Sequence, residues 1–288
     1  MYKTLFMLTV LFLFLSFPLP GKERGKRVIS LSPALTEIIF ALGAGRQLAG
    51  RSSACDYPLQ AEKLPVMGDF GNPDREKILR SRAKLVVTND LINPSLVKRY
   101  KSMGIELVML PLVSEKDYLY TISFLGRKLK KEKEAAFLRD SFQKTLAILR
   151  ENRKKIPPAK QKKALFLVWD KPLLASGGNS LPGSVLALAG VQNIAQHVKS
   201  EYFKASLEWI IKEDPDFILF PGQPAQKMEH FRKDPNWKNL RAVREGNLIY
   251  DLDENMLLRP GPRWGEGILL LQKRIYFPEK RELSQNTP

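Results

Sequence analysis

Side chains able to make covalent bonds or hold a metal are few in this sequence and stand apart. His197 and His230 are its two histidines and have no metal-ligand spacing between them. Cys55 is the single cysteine, so neither an internal disulfide nor a thiolate cluster can form, and a small buried side chain is the expected role. No Gly-x-Ser-x-Gly elbow, phosphate loop or paired-carboxylate motif occurs. Ser176-Gly-Gly-Asn comes nearest to a phosphate loop but lacks the lysine and the helix-opening spacing. The residue types therefore point away from an enzyme and toward noncovalent binding, with no cofactor. Two glutamates recur in a matched setting. Asp74-Arg-Glu76-Lys-Ile-Leu precedes Lys84-Leu-Val-Val, and Ser206-Leu-Glu208-Trp-Ile-Ile precedes Asp216-Phe-Ile-Leu. A carboxylate in a first helical turn complements the macrodipole by about 0.3–1 kcal/mol, so helix capping is one reading of Glu76 and Glu208. Presentation to a partner is the other.

These positions need a scaffold, and the chain is long enough for two. It has 288 residues, 44% of them hydrophobic, which fits about two domains. Lys and Arg number 47 against 30 Asp and Glu, a formal charge of +17. The basic runs, 22–27, 127–133, 150–163 and 280–281, carry no interleaved aromatic platforms for stacking bases, which argues against nucleic acid. They read as solvated surface with weak attraction to an anionic membrane face. Residues 1–21 form a separate unit: Lys3, an apolar run from Leu5 to Phe17, then Pro18 and Pro20. That pattern predicts an export signal, and the run is short for a membrane span. No small-x-small pair precedes Gly21, so a cleaved signal and an uncleaved anchor both stay open, and no cysteine follows for lipid attachment. A periplasmic or otherwise exported protein is expected.

Arg27-Val-Ile-Ser-Leu-Ser-Pro33 predicts a buried strand stopped at Ser-Pro. Helical and β-branched segments then alternate: a helix over 36–43, a helix over 74–82, a strand over 85–88, a helix over 94–103 and a strand over 105–110. Continuous apolar strands between helices predict a parallel sheet covered on both faces. No Gly or Pro interrupts the chain between Arg127 and Ile156, and Ala135, Leu138, Phe142, Leu146 and Leu149 fall on one helical face. A helix of about 25 residues would span roughly 37 Å, enough to link two lobes. The alternation restarts with strands over 163–169, 217–220 and 247–251 and helices over 181–189, 206–212 and 264–275. The expected organisation is an N-terminal α/β lobe over 27–126, a linking helix over 127–157, a C-terminal α/β lobe over 162–278 and a flexible tail over 279–288.

Ordered motifs in both halves resemble the cobalamin and ferric-siderophore binding proteins of ABC transporters. They are Arg27–Pro33 with Thr36-Glu37, Cys55-Asp-Tyr-Pro58, Gly68-Asp-Phe-Gly-Asn-Pro73 with Glu76, Ser176-Gly-Gly-Asn-Ser180, Leu188-Ala-Gly-Val-Gln-Asn-Ile194, Ser206-Leu-Glu208, Asp214-Pro-Asp216 and Arg259-Pro-Gly-Pro-Arg263. The resemblance runs from about Arg27 to Phe277. It implies two Rossmann-like α/β lobes joined by a single long backbone helix, a monomer, and a small-molecule metal chelate held between the lobes. It also implies a permease dimer in the membrane as partner, docked through Glu76 and Glu208. The ligand would be cobalamin, with haem or a ferric siderophore as the alternative, or else a tethered module that has lost transport. Pro33, Phe70, Trp169, Tyr202 and Arg259 are the implied cleft residues, with Ser176–Ser180 turning at the cleft mouth. Asn89 joins them, although the cobalamin type carries an aromatic there, and Ala54 is likewise smaller than expected. Trp209, Trp237 and Trp264 read as structural.

Overall fold

Apolar runs too short to form long helices pair into two sheets, and one long amphipathic helix lies between them. The computed structural model describes residues 28–90 and 94–278, so the apolar leader expected over 1–21 and the tail expected over 279–288 lie outside the described residues. Among the described residues no helix is long and apolar enough to cross a membrane.

The first lobe runs β1 (Val28–Ser30), α1 (Pro33–Ala41), β2 (Leu48–Arg51), α2 (Leu59–Glu62), β3 (Gly68–Asp69) and β4 (Asn72–Pro73). It continues through α3 (Arg75–Arg80), β5 (Leu85–Thr88), α4 (Pro94–Ser102) and β6 (Glu106–Met109). Its four-stranded sheet has the order β2-β1-β5-β6 and every pairing is parallel. Wholly buried β1 and β5 occupy the centre, as expected for strands covered on both faces.

The linking region differs from a single helix over 127–157. Two helices pack side by side, α5 (Glu115–Leu129) and α6 (Glu132–Lys154), so residues 127–129 finish the first of them. Ser114 and Asp117 form a reciprocal capping box at the start of α5. Lys130 ends it in a left-handed conformation, φ 58°, with its N–H bonded back to the last turn. A lysine performs the stop that glycine usually performs, which hides it from a reading that looks for Gly or Pro. Gly126 lets the turn close, because a Cβ there would lie 2.5 Å from the Ala135 Cβ.

The second lobe contains β7 (Lys163–Asp170), β8 (Leu173–Ser176), α7 (Leu181–Leu188), β9 (Gln192–Asn193), β10 (Tyr202–Lys204) and α8 (Leu207–Glu213). Then follow β11 (Phe217–Leu219), α9 (Ala225–Lys233), α10 (Arg241–Arg244), β12 (Leu248–Ile249), α11 (Glu254–Leu258) and α12 (Trp264–Tyr276). The parallel set β9-β7-β11-β12 repeats the order of the first sheet. This lobe is not purely parallel, however. β7 is long enough to pair β9 with its first residues and β8 with its last, and β8 and β10 add an antiparallel flap. In the matched segments, Asp74 caps α3 and Ser206 caps α8, and each helix leads into a central buried strand.

One apolar cluster joins the lobes. Leu35, Ile38 and Val87 of the first lobe, Phe142, Leu146 and Leu149 of α6, and Phe166, Trp264 and Leu271 of the second lobe belong to it. Phe142 stacks on Trp264 at 5.6 Å and meets Tyr118 edge-on at 4.7 Å. The Gln272 amide donates to the carbonyls of Leu149 and Ala189, tying α12 to α6 and α7. Trp264 and Trp237 are buried and Trp209 packs on Phe203, so all three are structural.

Candidate functional site

In open α/β sheets the carboxyl ends of the strands are where ligand crevices form. At that edge of the first lobe, Ser32 caps α1 by accepting from the Leu35 N–H, and Pro33 takes the first helical turn. The Thr36 hydroxyl, one turn on, donates to Ser30 Oγ at 2.8 Å or reaches Cys55 Sγ at 3.1 Å. Ser52 Oγ lies 3.2 Å from the same sulfur. Cys55 is thus a buried pin that fixes the loop leaving β2, and with it Asp56 and Tyr57. Glu37 follows Thr36 and is nearly inaccessible.

On the second lobe, Asp253 caps α11, whose last turn leads to Arg259, Gly261 and Arg263. Backbone approach here is close: a Cβ on Gly261 would lie 3.0 Å from Glu37 Oε2. Arg263 donates to both oxygens of Glu37, at 2.8 and 3.2 Å, and its guanidinium lies 3.9 Å over the Tyr57 ring. Arg259 donates to both oxygens of Asp56, Nη1 to Oδ1 and Nη2 to Oδ2, the latter at 3.3 Å. The two lobes therefore meet at their strand ends through two forked arginine–carboxylate pairs, a geometry that adds directionality to charge. Burial pushes the Glu37 carboxyl up while Arg263 pulls it down, and the net shift is upward. The hydrogen bond from Arg259 holds Asp56 below the usual carboxylate range against a smaller opposing effect of burial. Glu37 in turn raises Arg263, which stays charged.

The remaining predicted residues distribute around this base. Phe70 stands at the tip of the β3–β4 hairpin, exposed by 47%, where Gly71 turns with φ 79°. The Ser53 hydroxyl tethers the hairpin by donating to Asp69 at 2.6 Å. Asn89 follows β5, next to β1, and its Oδ1 has no hydrogen-bond partner among the described residues. Pro33, Phe70 and Asn89 thus share one edge of the first lobe. Trp169 lies near the end of β7, 56% exposed, its indole donating to the Lys171 carbonyl. Lys227, which the sequence reading passed over, spans the Trp169 and Phe220 rings and pairs with Asp170 at 2.8 Å. Tyr202 begins β10 opposite Ser176, two residues back from Lys204, which shares Leu174 as neighbour with Trp169.

Ser176–Ser180 joins β8 to α7 through a tight turn. Gly177 and Gly178 press against the backbone of residues 196–200, where a Cβ would come within 2.0 and 2.2 Å of carbonyl oxygens. Ser180 caps α7. The segment is a packed corner, because β8 runs back from the edge that Trp169 occupies. Glu76 and Glu208 both lie exposed in first turns whose caps are Asp74 and Ser206. Glu76 pairs with Arg80 at 2.8 Å, and Glu208 is lowered by hydrogen bonds to its own backbone and to Ser206.

Neither of two cavities among the described residues lies between the cross-lobe pairs. One of about 90 Å³ under the hairpin, lined by Asp69, Thr88 and Tyr100, is too small for a macrocycle. A groove of about 870 Å³ lies at the amino end of β12, between Asn247 and Phe277, away from the cross-lobe pairs. Among the described residues no cluster of His, Cys, Asp and Glu could hold a metal directly.

A family model described as periplasmic binding protein matches residues 28–255. An uncharacterised ABC-transporter substrate-binding lipoprotein of Bacillus subtilis is 27% identical over 261 residues, 88% of this chain and 81% of the relative. A vitamin B12-binding protein of Vibrio parahaemolyticus is 25% identical over 252 residues, 87% of this chain and 90% of its own. Among solved structures, the apo form of a periplasmic heme-binding protein from Roseiflexus matches with a TM-score of 0.77. Its identity is 26%, over 88% of this chain and 98% of that one.

Proposed function

This chain belongs to the periplasmic binding protein family, and from that premise we propose that it is an exported carrier that captures a corrinoid between its lobes for an ABC importer. The carrying observation is the exposure of broad aromatic faces at the strand ends of both lobes, Phe70 on one side and Trp169 on the other. An aromatic ring loses little conformational entropy when it lies on a flat ligand and supplies a large apolar contact. Pro33, Asn89 and Tyr202 belong to the same proposed lining, and Arg259 supplies donors at its base. Similarity to a vitamin B12-binding protein supports the corrinoid. Capture is noncovalent, so the mechanism is binding followed by transfer. Exposed Glu76 and Glu208, one on each lobe, would orient the carrier on two permease subunits, since charge pairs at a rim steer encounter more than they add affinity.

A second reading, a haem or ferric-siderophore carrier, is favoured by the similarity to a heme-binding protein. Calorimetry separates the two. The corrinoid reading expects one-to-one uptake of cobalamin at micromolar affinity or better. Absence of heat with cobalamin but tight binding of haem or a ferric siderophore selects the second reading, and silence with all three refutes both.

A further inference from the structure

Arg259 already has a charged partner. It is forked onto Asp56, whose side chain is 53% exposed, whereas Glu37 in the neighbouring pair is 2% exposed. From this contrast we infer that Asp56 is a built-in competitor for Arg259, biasing the cleft against ligands with carboxylate arms and toward ligands with neutral amide arms. The inference rests on the carrier reading above and names the ligand class within it. A ligand carboxylate takes the Nη1–Nη2 fork of Arg259 only by displacing Asp56, and at any other edge of the guanidinium it meets a charge that Asp56 already offsets. The backbone that carries Asp56 stays beside Arg259, because the adjacent Cys55 is pinned by Thr36 and Ser52. The neighbouring Arg263 offers no substitute, because it is held by Glu37 and covered on one face by Tyr57. An amide arm meets a different surface. Its N–H groups donate to the exposed lone pairs of Asp56 while the ion pair stays intact. Discrimination thus comes from a repulsive element against one class, a recurrent route to specificity.

The test measures affinities of two probes by calorimetry, cyanocobalamin with amide arms and zinc protoporphyrin with two carboxylate arms. Proteins compared are the unaltered chain, Asp56→Ala, Asp56→Asn and the double variant Asp56→Ala/Arg259→Gln. Asn is close in shape to Asp, which guards against a folding defect in the alanine variant. The unaltered chain should favour cobalamin, and both single variants should move the porphyrin-to-cobalamin affinity ratio toward porphyrin by about fivefold, the range of a partly exposed ion pair. The shift should vanish in the double variant. An unmoved ratio, a shift toward cobalamin, or a shift that survives loss of Arg259 overturns the inference while leaving the carrier reading in place. Preference of the unaltered chain for porphyrin overturns it too, and uptake of neither probe overturns both.

Discussion

Replacing Arg263 by Met should convert Glu37 from a paired group into an isolated buried charge. Glu37 is 2% exposed and Arg263 24%, and both hydrogen bonds to the carboxylate come from Arg263. Removing one partner of a buried pair costs about 3–5 kcal/mol, and the partial exposure of Arg263 places the loss near 3 kcal/mol. At about 2–4 °C per kcal/mol for domains of this size, the thermal midpoint at pH 7.5 should fall by about 6–12 °C. The sign with pH follows from proton binding. Burial already raises Glu37 above its usual 4.5, and loss of Arg263 raises it further, so the folded variant binds a proton more tightly than the unfolded chain. Stability of the variant relative to the unaltered protein is therefore preserved below the unfolded value and declines as pH rises through the raised one. Scanning calorimetry at pH 4.5 should show most of the deficit gone. Glu37→Gln in the Arg263→Met background should restore much of the midpoint at pH 7.5, because a neutral amide removes the stranded charge. A deficit equal at both pH values, or no recovery with Gln, would refute the claim that this pair is a cross-lobe tie whose cost lies in burying the carboxylate.

Phe142→Ala removes the ring stacked between Trp264 and Tyr118 in the shared core and should cost about 3–5 kcal/mol by denaturant titration. Gln272→Leu removes the donor to the Leu149 and Ala189 carbonyls and the acceptor of the Asn152 amide, and a loss of about 1–3 kcal/mol is expected in the same assay. Glu76→Ala combined with Glu208→Ala should leave ligand affinity and thermal midpoint unchanged while abolishing carrier-dependent uptake into vesicles containing the permease. Equal loss of affinity would assign the two glutamates to the fold instead.

The lobes and the helix between them were legible because each rests on a local period. β1 and β5 are continuous apolar runs, and α6 repeats Ala135, Phe142, Leu146 and Leu149 along one face. The break before α6 was not legible, since a left-handed Lys130 carries no residue signature of its own. The antiparallel flap escaped for a similar reason: β8 and β10 are short strands whose direction depends on partners rather than on pattern. At the candidate site, Glu37, Asp56 and Arg263 all fell within motifs visible in the chain, yet their pairing did not. Arg263 is 226 positions from Glu37 and Arg259 is 203 from Asp56, so the contacts exist only once two sheets and α6 are in place. Lys227 was missed because a lone lysine on a polar helix looks solvated until Trp169, Phe220 and Asp170 surround it.

The apolar cluster that continues from Leu35 through Phe142 to Leu271 has a mechanical consequence. Wide separation of the lobes would expose a common interior rather than bend a free linker, so the molecule resists gaping as a tongs with a welded back does. Loading then leaves the outline nearly constant, and small-angle scattering should record almost no change in radius of gyration. A permease that distinguishes full carriers from empty ones must read the cargo itself, or the lip touching it, instead of waiting for a large swing.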